Sequence, residues 1–395
     1  MRRHAVVLSL WWLCSAPQPV RPGIDVLLSD SLHLVRGVKV GIITNQTGID
    51  REGRDDITRL RAAGVEVTAI LSPEHGFRGA LDVENIGHGV DSATGIPVFS
   101  LYGDVRAPTA DMVRGVDALV VDLQDVGARP YTYISTVLLA LQWAAGGNLP
   151  VIVLDRPNPI GGALVQGPVL DTTLASFIGM LPVPLRHGMT IGELARLGRD
   201  ALDIPARLVL VPVSGWERDR WFDQTGLPWV RPSPSMPSLE SAAHYPGTVL
   251  FEATNLSVGR GTPLAFQVIG APWLDAARIA RDLAALPGVA LSDTTVVPEN
   301  SPDRKYDGIR LPAVRLRVTD RARYDPTRTA VHLLAAVRRL HPDSLHIDTL
   351  RLDRRAGDRA IRLGLERGTP PDSIVAGWQP ALDRFKQMRA RYLLY

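Results

Sequence analysis

Ala118-Leu-Val-Val-Asp122 runs straight into Leu123-Gln-Asp-Val-Gly-Ala-Arg-Pro130 and then into Tyr131-Thr-Tyr-Ile-Ser-Thr-Val-Leu-Leu-Ala-Leu-Gln-Trp-Ala144. The first five residues are a continuous apolar run ended by a carboxylate, as in a strand covered on both faces. A polar loop containing Gly127 follows, and then a helical pattern over Tyr131–Ala144. The same unit recurs on either side. Further strands are expected at Val38–Thr44, Val65–Leu71, Pro97–Leu101, Val151–Leu154 and Arg207–Val213. Helices are expected over Asp55–Ala63, Thr109–Arg114 and Ile191–Asp200. This βαβ rhythm predicts an α/β fold with a Rossmann-like, mostly parallel open sheet.

From Trp216 to about Pro263 the chain is rich in Pro, Ser, Gly and Trp and loses its periodicity, as a connector or functional segment does. Beyond it, Ala265–Ile269, Val289–Val297 and Ala313–Val318 read as strands. Ala330–Leu340 and the final forty residues read as helical. The expected division is a leader at 1–20, a Rossmann-like catalytic domain at 23–245, and a smaller α/β domain at 246–395 closing a cleft. Met1-Arg-Arg-His4, the apolar run Ala5–Leu13 and Cys14-Ser-Ala16 together follow the pattern of a secretory signal. They predict export to the periplasm or the cell exterior, with N-terminal anchoring as a variant. No later stretch is long and apolar enough for a stable membrane span.

Over 395 residues, 44 Lys and Arg face 41 Asp and Glu, and a net charge of +3 is too balanced for a nucleic-acid footprint. The single cysteine, Cys14, excludes a disulfide framework and any Cys-rich metal site. No Gly-x-Gly-x-x-Gly follows the first strand, so a dinucleotide cofactor is not expected. Walker A, Gly-x-Ser-x-Gly and His-Glu-x-x-His sequences are also missing, and the nine histidines are scattered. Neither a cofactor nor a metal is expected.

Open α/β sheets place chemistry in loops beyond the carboxyl ends of their strands. There this chain carries Asn45 after the first strand and Glu74, His75 and Arg78 after the second. Tyr102 follows the third, and Gln124, Asp125, Arg129, Tyr131 and Tyr133 follow the fourth. Asp155, Arg156 and Asn158 follow the fifth. Each has a structural reading as well. Asn45 and Asn158 suit turn caps, Asp122 and Asp155 suit helix caps or ion pairs with Arg129 or Arg156, and the tyrosines suit packing at a helix start. Glu74 differs, because a carboxylate between Pro73 and His75-Gly76 at a strand end has little reason to be a solvated surface charge. Partial burial there is expected to raise its pKa and suit it to general-acid work.

Several of these segments together resemble the exo-β-N-acetylmuramidases of the NamZ (YbbC-like) family. They are Ser72-Pro-Glu-His-Gly-Phe-Arg-Gly79, Asp122-Leu-Gln-Asp-Val-Gly-Ala-Arg129 with Tyr131-Thr-Tyr-Ile134, and Leu154-Asp-Arg-Pro-Asn-Pro159. Arg186-His-Gly-Met-Thr190, Trp221-Phe-Asp-Gln-Thr-Gly-Leu-Pro-Trp229, Pro232-Ser-Pro-Ser-Met-Pro237 and Phe251-Glu-Ala-Thr-Asn-Leu-Ser-Val-Gly-Arg-Gly261 follow in order. The resemblance covers roughly residues 23 to 340. It implies a two-domain cleft and release of N-acetylmuramic acid from the non-reducing ends of MurNAc-GlcNAc fragments of peptidoglycan, in cell-wall turnover. It also implies Glu74 as the catalytic residue, and adds His187 and Asn255 as binding candidates. Near Arg304–Ala313 the chain departs from the family, with Lys305-Tyr-Asp-Gly-Ile-Arg310 shortened where a Gly-rich, Cys-containing segment is usual.

Glycoside hydrolysis calls for a protonated carboxyl group and a charged one. With Glu74 as the first, Asp125, Asp155 and Glu252 are candidates for the second; substrate-assisted attack by the 2-acetamido group is the other route. The lactyl carboxylate of a muramic acid calls for a cation, preferably Arg, and Arg78, Arg129, Arg156 and Arg260 stand in the motif loops. Gly259 and Gly261 are expected to let the backbone beside Arg260 approach a ligand. Trp221 and Trp229 are candidates for stacking on sugar faces. Two other classes fit the same residues: a non-catalytic cell-wall sugar-binding module, and another hydrolase, such as an esterase, on a Rossmann-like scaffold.

Overall fold

The computed structural model describes residues 19–83 and 85–395. Of the leader expected at 1–20, residues 1–18, with Cys14 among them, lie outside the described residues.

In chain order come α1 (Gly23–Asp30), β1 (Lys39–Thr44), α2 (Asp56–Ala62), β2 (Glu66–Ser72), β3 (Gly89–Val90), β4 (Pro97–Ser100), β5 (Ala118–Asp122), α3 (Tyr133–Gly146) and β6 (Val151–Leu154). Then follow β7 (Gln166–Val169), β8 (Pro184–Arg186), α4 (Ile191–Ala201), β9 (Leu208–Val211), α5 (Leu239–Thr248), β10 (Val268–Gly270), α6 (Ala276–Asp282), β11 (Val289–Val296) and β12 (Leu311–Val318). Helices α7 (Pro326–Leu340), α8 (Thr349–Ala356), α9 (Ala360–Arg367), α10 (Pro371–Ala376) and α11 (Gln379–Arg389) close the chain.

Seven strands form one sheet in the order β3-β4-β2-β1-β5-β6-β9. All its pairs are parallel except β3 with β4. The chain builds outward from β1 through β2 to β4, then returns to the other side of β1 with β5. The topological switch point therefore lies between β1 and β5. Successive side chains point to opposite faces, and both faces are covered. Val40 and Ile42 share a core with Ile24 and Leu27 of α1 and with Ile57 and Leu60 of α2. Ile43, Val121 and Val153 share the opposite core with Val137 and Leu141 of α3 and Leu194 of α4. That second core runs on through Phe251, Leu333 and Val337 of the C-terminal half. There β10, β12 and β11 make an antiparallel sheet, while β7 and β8 form a separate ribbon.

Local chemistry sets the helix ends. Asp55 accepts from the Thr58 amide at the start of α2, and Thr190 and Glu193 form a reciprocal capping box on α4. Asp325 caps α7 just ahead of Pro326.

Three sequence expectations change. Thr109–Arg114 forms turns, not a helix, because Pro108 and Gly115 leave room for barely one turn. The stretch Trp216–Pro263 is not irregular throughout, for it contains α5, whose Pro246 in the last turn masks the helical period. The strand expected at Ala265–Ile269 starts only at Val268, because Phe266 takes left-handed backbone with φ 61°.

Candidate active site

A cavity of about 480 Å³ opens where the loops after β2, β4 and β5 face the segments 245–266 and 302–305 and helix α8. Glu74, His75, Tyr131, Glu252 and Arg260 of the expected site residues line it. The sheet's switch point is filled instead. Arg156 donates from Nε and Nη2 to Asp122 at 2.5 and 2.9 Å, and Thr44 Oγ1 donates to Asp56 at 2.5 Å. The residual space beside Arg156, Gln124 and Thr47 is about 10 Å³, too small for a ligand. Burial pushes the pKa of Asp56 up, with the Asp122 charge adding to it.

Glu74 reaches the cleft through an unusual turn. The chain leaves β2 through Ser72 and Pro73, and His75 and Gly76 then both take left-handed backbone, with φ 73° and 76°. His75 is held there by its ring, whose Nδ1 lies 2.9 Å from the Leu81 carbonyl. Thr132, the residue before α3, gives its hydroxyl to Glu74 Oε2 instead of capping its own helix. The Tyr102 phenol lines the same space, and burial, followed by the Glu74 charge, raises its pKa so that it stays a neutral donor. The Tyr131 hydroxyl is buried and has no hydrogen-bond partner among the described residues.

Opposite stands a cationic wall of Arg260, Lys305, Arg351 and Arg355. Arg260 Nη2 lies 2.7 Å from Glu252 Oε1, and Arg355 Nε lies 3.4 Å from Glu252 Oε2. The Glu252 carboxylate is thus committed to orienting two guanidinium groups. Lys305 Nζ donates to the carbonyls of Leu256 and Glu252 at 3.1 and 3.4 Å, and burial lowers its pKa. Asp82 is held more loosely, 3.3 Å from the Ser235 hydroxyl and 3.7 Å from both His75 Nδ1 and Arg260 Nη1. Gly259 and Gly261 do not open a path to a ligand. A Cβ on Gly261 would meet the Glu299 backbone at 2.6 Å, and one on Gly259 would meet Val268 at 2.5 Å.

The other expected site residues do not line the cleft. Asn45 donates to the Tyr133 hydroxyl at 2.7 Å, and that hydroxyl donates to the Pro232 carbonyl, so both are buried structural partners. Gln124 bonds the carbonyls of Asp125 and Pro157. Asp125 accepts from the Gly127 amide at 2.7 Å and faces buried His187 at 3.6 Å. Asp155 caps the start of α4 through Thr190 and Gly192, at 2.6 and 2.8 Å. Asn158 donates to the Met189 carbonyl, and Asn255 bridges to Ser344 and His346. Arg78 pairs with Asp91 at 2.5 Å, and Arg156 with Asp122. Arg129 donates to the carbonyls of Pro168, Val183 and Arg355. Trp221 and Trp229 pack at Arg186, Arg321 and Phe222, away from the cavity.

Sequence reasoning did not single out Asp82, Thr132, Ser233, Tyr245, Lys305, Arg351 or Arg355 as site residues. Thr132 and Ser233 sat within quoted motifs and gave a usable signal. Arg351 and Arg355, four apart on α8, are one face of a helix that only tertiary packing brings to the cleft.

Among the described residues, Asp25, Asp50 and Glu52 bring carboxylate oxygens within 4.8 Å of one another. Asp50 is already paired with Arg54 and Arg59 at 2.7 and 2.8 Å, and none of the three lines the cleft.

The model of the family "exo-beta-N-acetylmuramidase NamZ, N-terminal" matches residues 40–240, and that of "exo-beta-N-acetylmuramidase NamZ, C-terminal" matches residues 243–395. The chain is 40% identical over 381 residues to the peptidoglycan beta-N-acetylmuramidase NamZ of Bacillus subtilis (strain 168), covering 95% of this chain and 91% of that one. Crystal structures of two DUF1343 family proteins from Bacteroides fragilis NCTC 9343 superimpose with TM-scores of 0.87 and 0.77, at 34% and 30% identity. Each superposition covers 95% of this chain and 99% of the other. With both halves matched in order around one cleft, the chain belongs to the NamZ family of exo-β-N-acetylmuramidases.

Proposed function

We propose that this chain is an exo-acting β-N-acetylmuramidase that releases N-acetylmuramic acid from the non-reducing end of peptidoglycan fragments. The observation that carries the reading is a single cleft holding an accessible carboxylate, Glu74, opposite the cations Arg260, Lys305 and Arg355. A muramic acid differs from N-acetylglucosamine by its lactyl carboxylate, and a guanidinium group already oriented by Glu252 is suited to bind it.

Glu74 acts as the general acid. The bond between the anomeric carbon and the leaving oxygen breaks, Glu74 gives that oxygen its proton, water adds its oxygen to the anomeric carbon, and water's remaining proton is returned to the enzyme. The Thr132 hydroxyl fixes Oε2 and leaves Oε1 for this exchange. Glu252, held between two arginines, is poorly suited as base or nucleophile. Asp82 or the substrate's own acetamido group takes that part.

The N-terminal half carries the acid and the C-terminal half the cationic wall, so that the two close on the sugar as domains at 23–245 and 246–395. Export with cleavage near residues 14–20 would bring the enzyme to cell-wall fragments for turnover. Mass analysis of the mature protein from its host tests this, and intact Met1–Val20 in a cytosolic fraction would contradict it. The activity itself is tested with a chromogenic N-acetylmuramide and the matching glucosaminide. Release from the muramide alone supports the reading, and binding of fragments without turnover would favour a sugar-binding module.

A further inference from the structure

Phe266 is bulky and buried, yet its backbone is left-handed, with φ 61°. That region is costly for a residue with a Cβ, and most of all for a large one. Glycine would make the same turn without strain, so the turn alone does not call for an aromatic ring. The residue lines the cleft.

The strain is enforced from both sides. The Phe266 amide donates to the Val258 carbonyl at 2.7 Å, and its carbonyl accepts from the Thr248 hydroxyl of α5 at 3.1 Å. The first bond closes residues 258–266 into a loop, and Arg260 stands on that loop. The ring at the neck of the loop meets the arginine at its tip, with the guanidinium carbon 5.4 Å from the ring centre. Of the three guanidinium nitrogens, Nη2 meets Glu252 at 2.7 Å and Nη1 lies 3.7 Å from Asp82. Nε is buried with no hydrogen-bond partner among the described residues. Carboxylates thus hold the outer edge of the group, and the electron-rich face of the ring supports the cation where no acceptor does.

The ring is itself fixed. It stands edge-to-face with Tyr245 at 4.8 Å, and Tyr245 stands edge-to-face with Tyr131 at 5.9 Å. Tyr131 precedes Thr132, whose hydroxyl holds Glu74. One aromatic row therefore joins the side of the cleft that carries the acid to the side that carries the cation.

We propose that Phe266 is a positioning residue for sugar selection: its ring, aimed by a left-handed turn, holds the Arg260 guanidinium where the lactyl carboxylate of a muramic acid meets it. The proposal rests on the muramidase reading above and adds to it a residue that acts through Arg260.

Three variants of the full chain test it: Phe266→Leu, which removes the ring; Phe266→Tyr, which keeps it; and a ring-trifluorinated phenylalanine at the same position, which keeps the shape but weakens the negative face. The measurements are kcat and KM on a chromogenic N-acetylmuramide, and the Kd of free N-acetylmuramic acid by calorimetry. The leucine and fluorinated proteins should show KM and Kd raised about three- to tenfold with kcat within about twofold, and the tyrosine protein should stay near the unmodified one. If Phe266→Leu does not fold, the fluorinated protein decides. Unchanged KM and Kd in the fluorinated protein, a loss that falls on kcat instead, or a tyrosine protein as impaired as the fluorinated one would overturn the proposal. An unmodified protein that neither cleaves the muramide nor binds N-acetylmuramic acid would instead overturn the muramidase reading.

Discussion

Arg129 Nη2 donates to the carbonyl oxygen of Arg355 at 2.9 Å, and the two arginines divide their labour. Arg129 is buried, and that burial lowers its pKa. Its other bonds run to the carbonyls of Pro168 and Val183. It therefore ties the last turn of α8 to the β5 loop, and Arg355, four residues along from Arg351, is presented to the cleft.

Arg129→Met should accordingly act on stability. Three carbonyls lose a buried donor, and each such loss costs about 1–3 kcal/mol before relaxation. Urea unfolding should show a clearly lower midpoint, while the ratio of muramide to glucosaminide activity stays within about twofold. An unchanged midpoint would remove Arg129 from the scaffold.

Arg260 should behave in the opposite way. Arg260→Gln keeps a polar side chain against Glu252 but loses the charge-assisted pair with the lactyl group, worth about 1.5–3 kcal/mol, or roughly ten- to hundredfold in binding. The loss should fall on the muramide and spare the glucosaminide. Equal losses on the two substrates would show that Arg260 supports the cleft without selecting the sugar.

Lys305 gives a pH signature. Burial lowers its pKa below that of an ordinary lysine, so it loses its charge earlier as the solution becomes alkaline. If Lys305 attracts the lactyl carboxylate, KM for a muramide should rise with pH on the alkaline side. Lys305→Arg should move that rise to higher pH, because a guanidinium stays charged. Coincident profiles for the two proteins would rule the lysine out of binding.

How much of this could be read from the sequence follows from where each interaction is made. The parallel strands were legible because continuous apolar runs such as Ala118–Asp122 declare burial on both faces. Glu74 was legible because its neighbours, Pro73 and Gly76, announce a special turn. Arg156, Asp155 and Asn45 carried the same signal of a polar residue at a strand end, yet their side chains bond to the chain itself. Sequence does not distinguish a strand-end carboxylate that meets Arg156, as Asp122 does, from one that meets solvent. Arg351 and Arg355 lie more than 250 residues beyond Glu74 along the chain, and only the packing of α8 brings them to the cleft.

The chain terminus offers an independent check of the scaffold. The Tyr395 hydroxyl accepts from the Val213 amide and donates to Asp155 Oδ2, both at 2.7 Å. Arg218 also bonds the Tyr395 carbonyl at 3.1 Å. Tyr395→Phe should leave both partners short of a bond and cost about 1–3 kcal/mol of stability with little change in turnover, read by denaturant unfolding alongside activity. A variant as stable as the unmodified protein would mean that the tail does not staple the sheet.

Glu74→Gln decides whether the cleft is catalytic through this carboxylate. The amide keeps the shape and can still accept from Thr132, so the melting temperature should hold, but no proton can be donated. Turnover of the disaccharide MurNAc-GlcNAc should fall by at least about a hundredfold, the usual scale of acid assistance. A muramide with a phenolate leaving group, which departs without protonation, should be hurt much less. A general acid predicts that contrast, whereas a nucleophile or a binding residue would be missed equally with both substrates. Near-normal activity of Glu74→Gln on the disaccharide would contradict the assignment outright.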